Sequence, residues 1–210
     1  MKYPVLRDAA VADTVRALPY DEPGVGIHAL PEVLTRPALM RSDITSGRPG
    51  TPLLLTLRLN TASNRFAPVA NAAVHVWHCD RDGVFPQGDA LLGVQITDAL
   101  GEVTFQTVYP GWQLGQGTGI QCRVFINGDD NRLHVAACRI QLPRDMNDAV
   151  HRTPTYMPRG PGLGASEPGG LGASLRRIFR GVAPRVHARV VGNPAGILAA
   201  EATVSVALPA

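Results

Sequence analysis

The chain has 210 residues, 45% of them hydrophobic and 18% charged, with a formal net charge of +3 at pH 7. This length suits one domain with its own core. Lys2 is the only lysine, and the one short basic run contains Arg176, Arg177 and Arg180. A nucleic-acid surface needs more clustered basic side chains, often with stacking rings, so nucleic acid is not an expected partner.

The sequence also argues against a membrane-spanning protein, a secreted protein, and a fold held by zinc or disulfides. No apolar run approaches the roughly 20 residues that a membrane helix needs, and the N-terminal segment carries charges where a signal peptide would be apolar. Cys79, Cys122 and Cys138 are odd in number and widely spaced, which indicates neither a zinc site nor a disulfide framework. We therefore expect a cytoplasmic protein with reduced cysteines and no membrane partner.

The first 50 residues are predicted to be largely irregular. Asp8–Leu18 could form a short helix, and the segment from 41 to 52 has the composition of a turn-rich lead-in. Proline interrupts regular structure after the helix, at Pro19, Pro23, Pro31 and Pro37.

Segments rich in β-forming residues then recur, bounded by Asn, Asp, Gly and Pro. The predicted strands are Leu53–Asn60, Ala72–His78, Val103–Val108, Ile120–Ile126, His134–Leu142 and Ile197–Leu208. They follow one another without regular helices between them, which favours an all-β antiparallel sandwich or barrel over an α/β fold.

Two short helices are predicted outside the strands, at Arg144–His151 and Ser174–Arg180. Between them, residues 153–172 are loaded with Gly and Pro and form either a functional flap or a disordered loop. We predict a single domain over 1–210, with an irregular or helical segment at 1–50 and a β core made of 51–142 and 185–208.

Several blocks of sequence resemble the intradiol ring-cleavage dioxygenases of the catechol and protocatechuate type. They are RSDI (41–44), PLLLTLRL (52–59), PVANAAVHVWHCDRDGVF (68–85), LLGVQITDALGEVTFQTVYPGW (91–112) and AEATVSVAL (200–208). The resemblance implies a β-sandwich. It also implies a non-haem ferric ion held by two tyrosines and two histidines, with an arginine that assists the bound substrate.

The four ligand positions implied by the resemblance carry other residues in this chain. The first tyrosine closes a WHAD-x-x-G-x-Y pattern, and here WHCDRDGVF ends in Phe85. The second follows YPGW directly, where this chain has Gln113. The two histidines form a His-x-His entry to the next strand, where this chain has Gly119 and Gln121.

These changes remove metal-binding chemistry. Phenylalanine has no phenolate, glycine has no side chain, and a glutamine amide is a weak donor to ferric iron. The family arginine corresponds to Gln116, and the polar residue on the following strand corresponds to Arg139. The resemblance thus indicates a divergent member without iron ligands, and the expected cofactor is none.

Histidines could in principle rebuild a metal site, and His75 and His78 are the closest pair. Residues three apart on a strand point to opposite faces, so this spacing suits chelation only if the strand ends at Trp77. We therefore interpret both as satisfied polar groups near a strand end. His28, His134, His151 and His187 are scattered along the chain.

Loss of the metal and its ligands is expected to leave a hollow lined by one face of a strand. Alternation places Gly119, Gln121, Arg123 and Phe125 on that face, opposite Ile120, Cys122 and Val124. The predicted catalytic residues are Gln113, Gln121, Arg123 and Tyr109. The predicted substrate-binding residues are Phe85, Trp112, Gln116, Gly119 and Arg139.

Three functions remain open at this stage. The first is a metal-independent cyclase or isomerase that acts on a small organic molecule, with a pericyclic step as one option. The arginine- and alanine-rich composition resembles that of bacteria with many specialised-metabolite pathways. The second is a non-catalytic small-molecule-binding or scaffold protein. The third is an iron-dependent ring-cleavage dioxygenase with relocated ligands. A homodimer is a reasonable expectation in each case.

Overall fold

The computed structural model describes residues 4, 12–19, 31–62, 67–113, 117–127, 133–156 and 184–207. The strands are β1 (Ala12–Arg16), β2 (Leu18–Pro19), β3 (Pro52–Thr61), β4 (Ala73–Trp77), β5 (Leu92–Ile96), β6 (Glu102–Val108), β7 (Gly119–Asn127), β8 (Leu133–Gln141), β9 (Arg185–His187), β10 (Arg189–Gly192) and β11 (Leu198–Ala207). One α-helix, α1 (Arg144–His151), and two short 3-10 helices, Glu32–Leu34 and Pro37–Leu39, accompany them in the described ranges.

The strands form two sheets. The first has the order β1-β11-β3-β6, with β10 also paired to β11, and the second has the order β2-β8-β7-β4-β5, with β9 also paired to β8. Within the second sheet β4, β5, β7 and β8 pair antiparallel. In the first sheet β11 runs parallel to both β1 and β3, a pairing that the sequence did not predict.

The core lies between the two sheets. Leu53, Leu55, Leu57 and Leu59 alternate along β3 and are at most 1% exposed. They belong to one apolar cluster with side chains from β4, β7, β8 and β11. Burial of such alternating positions is the main stabilising contribution, at about 25 cal/mol per Å² of apolar surface removed from water. The predicted all-β sandwich is confirmed.

Two predictions of local structure differ from the fold. The predicted helix at Asp8–Leu18 is wrong over its described part, because residues 12–16 form β1, where Val15 is buried and both Thr14 and Arg16 are exposed. Pairing with the edge of β11 outweighs the helical propensity of this alanine-rich segment. β5 was not predicted because it is short and contains Gly93, whose missing Cβ leaves room for Ile44.

The predicted helix Arg144–His151 is confirmed with the same bounds. The predicted helix Ser174–Arg180 and most of the Gly/Pro-rich loop, 157–172, lie outside the described residues. No helix in the described part of the chain has the length and apolar character needed to cross a membrane. The division into domains stays a prediction.

A charged triad connects the outer side of the first sheet. Arg58 on β3 forms ion pairs with Glu102 on β6 and with Glu201 on β11. Glu201 is only 3% exposed, so its carboxylate depends on this guanidinium. Removing one partner of a buried pair leaves an uncompensated charge, which costs more than the pair itself contributes.

We therefore expect Arg58→Met to lower the free energy of unfolding by about 2 kcal/mol or more, since the buried carboxylate loses its cation. The double variant Arg58→Met/Glu201→Leu should recover most of that loss. Urea titration of the wild type, both single variants and the double variant measures the coupling. Additive losses would show that the two side chains do not depend on each other.

Candidate functional site

The outer face of the second sheet carries a group of buried polar side chains. In the register of β4, β7 and β8, Gln121 lies between Trp77 and Arg139, and Arg123 lies between His75 and Ala137. Directly opposed side chains on adjacent strands have Cβ atoms about 5 Å apart. We call His75, Gln113, Gln121, Arg123 and Arg139 the polar face; each is at most 8% exposed.

Arg139 connects three of the predicted site positions. Its Nη2 donates to Oε1 of Gln113 at 3.3 Å and to the Gly117 carbonyl at 3.0 Å. Its side chain crosses Gly119, where an added Cβ would lie 2.7 Å from the Arg139 Nε and 2.7 Å from the Ile140 carbonyl oxygen. The glycine therefore provides the space through which the guanidinium reaches Gln113.

Two amides on this face keep donors for a further partner. Oε1 of Gln113 accepts from Arg139, but no hydrogen bond to a described residue engages its Nε2 or the amide of Gln121. None of these amide atoms is among the fully shielded, unpaired polar atoms of the described residues. Both side chains can therefore still donate to an oxygen brought to the face.

Phe85 closes the neighbouring part of the face. It is 5% exposed and packs in a cluster with Trp77, Cys79 and Ala137. Its loop is held by Asp80, whose Oδ1 accepts from the backbone N–H groups of Asp82 and Val84 at 2.9 and 3.0 Å. The predicted position beside the other site residues is thus fixed by local turn chemistry.

The two histidines near the end of β4 have different environments. His78 donates from Nδ1 to the Cys79 carbonyl at 2.7 Å and accepts at Nε2 from the Thr107 hydroxyl at 2.7 Å. His75 is fully buried and stacks on Trp77 with ring centroids 4.7 Å apart, but neither of its nitrogens has a hydrogen bond to a described residue. The interpretation as satisfied polar groups is confirmed for His78 and wrong for His75.

Both imidazoles are held neutral. Burial, and then the charge of Arg123, lowers the pKa of His75 to about 3. Burial lowers the pKa of His78 to about 4, against the opposing effect of the Cys79 carbonyl. The Arg123 guanidinium lies 5.3 Å from the centroid of Trp77, the ring that also stacks on His75.

The remaining predicted site residues lie elsewhere. Tyr109 is fully buried between the sheets and donates from its hydroxyl to Asn147 Oδ1 at 2.6 Å, an arrangement that favours packing over contact with a ligand. Trp112 is half-buried and lines a separate cleft of about 640 Å³. Gln116 lies outside the described residues.

Solved structures with the same architecture are found among the dioxygenases. An intradiol ring-cleavage dioxygenase from Tetranychus urticae matches with a TM-score of 0.60 at 20% identity, covering 86% of this chain and 90% of that one. The fold is that of the intradiol ring-cleavage dioxygenases. The dioxygenase domain of a carbohydrate-binding fusion protein from Streptomyces sp. SirexAA-E matches with a TM-score of 0.50 at 20% identity, covering 81% and 89%. No protein-family model and no curated protein matches the chain.

The resemblance to intradiol dioxygenases is therefore confirmed as a likeness of fold. At the positions that the resemblance assigns to the metal, the residues do not fit a ferric ion. Arg139 brings a cation across Gly119 to Gln113, and a guanidinium repels a metal cation and supplies no lone pair to it. Phe85 and Gln121 add no anionic donor.

The tyrosines in the described ranges do not replace the missing ligands either. Burial raises the pKa of Tyr109 well above its usual value and that of Tyr156 to about 12. The Tyr156 hydroxyl donates to the Tyr109 carbonyl at 2.7 Å and accepts from the Thr51 N–H at 3.0 Å. Both phenols belong to the core cluster and donate to protein acceptors, so neither is presented as a ligand at the polar face.

The sequence contained one signal for the central role of Arg139. A glycine inside a strand often marks the close approach of another group, and Gly119 opens β7 two residues before Gln121. The side chain that uses the space could not be identified, because Arg139 becomes the neighbour of Gln121 only through the register of β7 and β8.

We expect Gly119→Ala to destabilise the protein by about 1–3 kcal/mol, because the new methyl group meets both Arg139 and a backbone carbonyl. Gly119→Ala/Arg139→Ala should recover only part of the loss, since the carbonyl contact remains. Thermal unfolding of both variants tests this. A Gly119→Ala protein as stable as the wild type would show that the guanidinium does not occupy the space over this residue.

We also expect stability to fall as the pH drops from 7 to 5. The unfolded chain protonates both imidazoles near pH 6.5, whereas the native state keeps them neutral down to pKa values of about 3 and 4. Between these limits the unfolded state binds more protons, so each histidine costs about 2 kcal/mol at pH 5.

His75→Phe separates the two contributions. It keeps a ring against Trp77 and removes two unpaired polar atoms, so it should not destabilise the protein at pH 7 and should remove about half of the pH dependence. Urea unfolding at pH 5, 6 and 7 gives the slope for each protein. An unchanged slope in the variant would place the proton uptake at other groups.

Proposed function

We propose that the protein is a metal-independent cyclase or isomerase that acts on a small organic substrate at the polar face. The observation that carries the proposal is the Arg139 side chain, which crosses Gly119 and binds Gln113 where the resemblance assigns the iron ligands. A guanidinium at this place favours negative charge, as the metal would, but cannot activate dioxygen.

The chemistry follows from the donors on the polar face. Arg139 and Arg123 supply positive charge in a buried setting, and the Gln113 and Gln121 amides supply N–H groups. Fixed donors of this kind stabilise an oxygen atom on which negative charge develops, and they do so more strongly where water is excluded. The apolar wall of Phe85 and Trp77 would hold the rest of the substrate folded.

Such a reaction needs no external reactant. In a cyclisation or isomerisation the bonds and protons are redistributed within one molecule, so the product has the same mass as the substrate. Ring cleavage by a dioxygenase instead adds two oxygen atoms. Reactions of the first kind are frequent in bacterial specialised metabolism, the setting that the composition suggests by analogy.

The mass of the product relative to the substrate distinguishes the two reactions. Extract from a strain of the source organism lacking this gene would be incubated with purified, chelator-treated protein and followed by mass spectrometry. We expect a compound of the extract to convert into a product of equal mass. Conversion that requires added iron and adds two oxygen atoms would overturn the proposal, and a compound that binds without conversion would support the alternative of a non-catalytic binding protein.

Variants connect the conversion to the polar face. Gln121→Leu and Gln113→Leu should each slow conversion by about tenfold or more, because one hydrogen bond to a developing charge contributes about 1.5–3 kcal/mol. Gln106→Leu is the matched control, since Gln106 is an exposed glutamine on β6 of the other sheet. Equal rates for all three variants would exclude the polar face as the reaction site.

A further inference from the structure

A cleft of about 640 Å³ lies where α1 meets the end of β8, next to the polar face. This volume is in the range of small-molecule sites. Gly117 belongs to its wall and is also the residue whose carbonyl accepts from Arg139. The lining side chains used below are Trp112, Thr118, Arg144, Asp148 and His151.

One end of the cleft is positive. α1 begins after Pro143, which offers no side-chain cap, so the first N–H groups of the helix are not satisfied by a capping residue. Arg144, the first helical residue, is exposed and forms no ion pair with a described residue. Asp145 also lies in the first turn, but it does not line the cleft.

A buried hydroxyl gives a second, independent indication of a ligand. Thr118 is 2% exposed and lines the cleft, and its Oγ1 has no hydrogen-bond partner among the described residues. A buried hydroxyl without a partner destabilises the folded protein. A ligand oxygen in the cleft would remove that cost.

The other end of the cleft offers an acceptor. Nε2 of His151 donates to the Pro110 carbonyl at 3.1 Å, which fixes the tautomer and leaves Nδ1 as the acceptor. Nδ1 has no partner in the described structure, and it is not one of the fully shielded unpaired atoms. Burial lowers the pKa of His151, against the effects of Pro110 and Asp148, so the imidazole is neutral at pH 7.

The two ends are separated by the length of the helix. Arg144 and His151 are seven residues apart, which corresponds to about 10 Å along the axis. Asp148 also lines the cleft, four residues after Arg144 and three before His151, so its carboxylate leaves the Arg144 end as the favourable place for an anion. A ligand is therefore oriented, with its acidic group at Arg144 and its hydrogen-bond donor at His151.

We propose that this cleft binds a small organic anion about 10 Å long, whose acid group lies at Arg144 and the start of α1, whose hydroxyl or N–H group donates to His151, and whose unsaturated body packs against Trp112. The site is formed by residues other than those of the polar face, so the inference does not depend on the proposed reaction.

The chain contains two tryptophans, and this makes a direct measurement possible. In a ¹⁵N-labelled sample of the full chain, the indole N–H signal of Trp112 reports on the cleft, and that of buried Trp77 is an internal control. The probe is 4-hydroxycinnamate, an acid and a phenol joined by a conjugated body of the required length. Cinnamate lacks the hydroxyl, and 4-hydroxycinnamyl alcohol lacks the acid.

We expect 4-hydroxycinnamate to shift the Trp112 signal in a saturable way at sub-millimolar concentration, with Trp77 unchanged. Cinnamate and the alcohol should each bind about tenfold more weakly, because each loses one charged or polar contact. No shift of Trp112 up to millimolar 4-hydroxycinnamate, or equal binding of all three compounds, would overturn the proposal.

Variants assign each contact. Arg144→Gln should weaken both acids about tenfold. His151→Gln keeps a donor for the Pro110 carbonyl but loses Nδ1, so it should weaken 4-hydroxycinnamate and leave cinnamate unchanged. Arg152→Gln, an exposed arginine at the end of the same helix, is the control and should have no effect. Identical affinities of all three variants would also overturn the proposal.

Thr118→Val is expected to change stability and probe affinity in opposite directions. It should raise thermal stability, because an unpaired buried hydroxyl is removed, and lower the affinity for the probe. These measurements record binding alone. If the chain binds the probe but converts no substrate, the inference about the cleft holds and the proposed function is wrong. If it converts a substrate but does not bind the probe, the proposed function holds and the inference is wrong.

Discussion

The contact between Arg139 and Gln113 across Gly119 determines the chemical character of the site. A guanidinium is a permanent cation with a fixed planar set of donors, and it can reach Gln113 only because Gly119 has no side chain. In an intradiol dioxygenase fold this place is assigned by resemblance to a ferric ion. A guanidinium therefore lies where the resemblance would place a metal cation, and the side chains around it are neutral amides, aromatic rings and the second guanidinium of Arg123.

The sandwich explains how the side chains at this place can differ while the fold is retained. The inner face of the second sheet is apolar and belongs to the core, while its outer face carries the polar side chains. Substitution on the outer face leaves the alternating apolar residues of β3, β4, β7 and β11 in contact. Packing and site chemistry therefore reside on opposite sides of the same strands, and one can change while the other is retained.

The polar face and the cleft beside α1 meet at Gly117. The Gly117 carbonyl accepts from Arg139 on one side, and Gly117 lines the cleft on the other. His75 and Thr118 are buried polar groups that no described residue satisfies, and each lies in one of these two regions. Unsatisfied buried groups are costly, so a ligand group that formed a hydrogen bond to either of them would stabilise the folded protein.

The sequence by itself determined the strands with regular alternation and the helix at Arg144–His151. It also determined that Phe85, Gln113, Gly119 and Gln121 lack the phenolate and imidazole groups that bind ferric iron. These depend on local pattern and residue type. It could not reveal that residues 12–16 pair with β11 or that Arg139 reaches Gln113. Nor could it reveal that His78 forms two hydrogen bonds while His75 forms none to the part of the chain that the structure describes. Only the tertiary structure decided those points, because each depends on strand register, which brings together residues that are far apart in the chain.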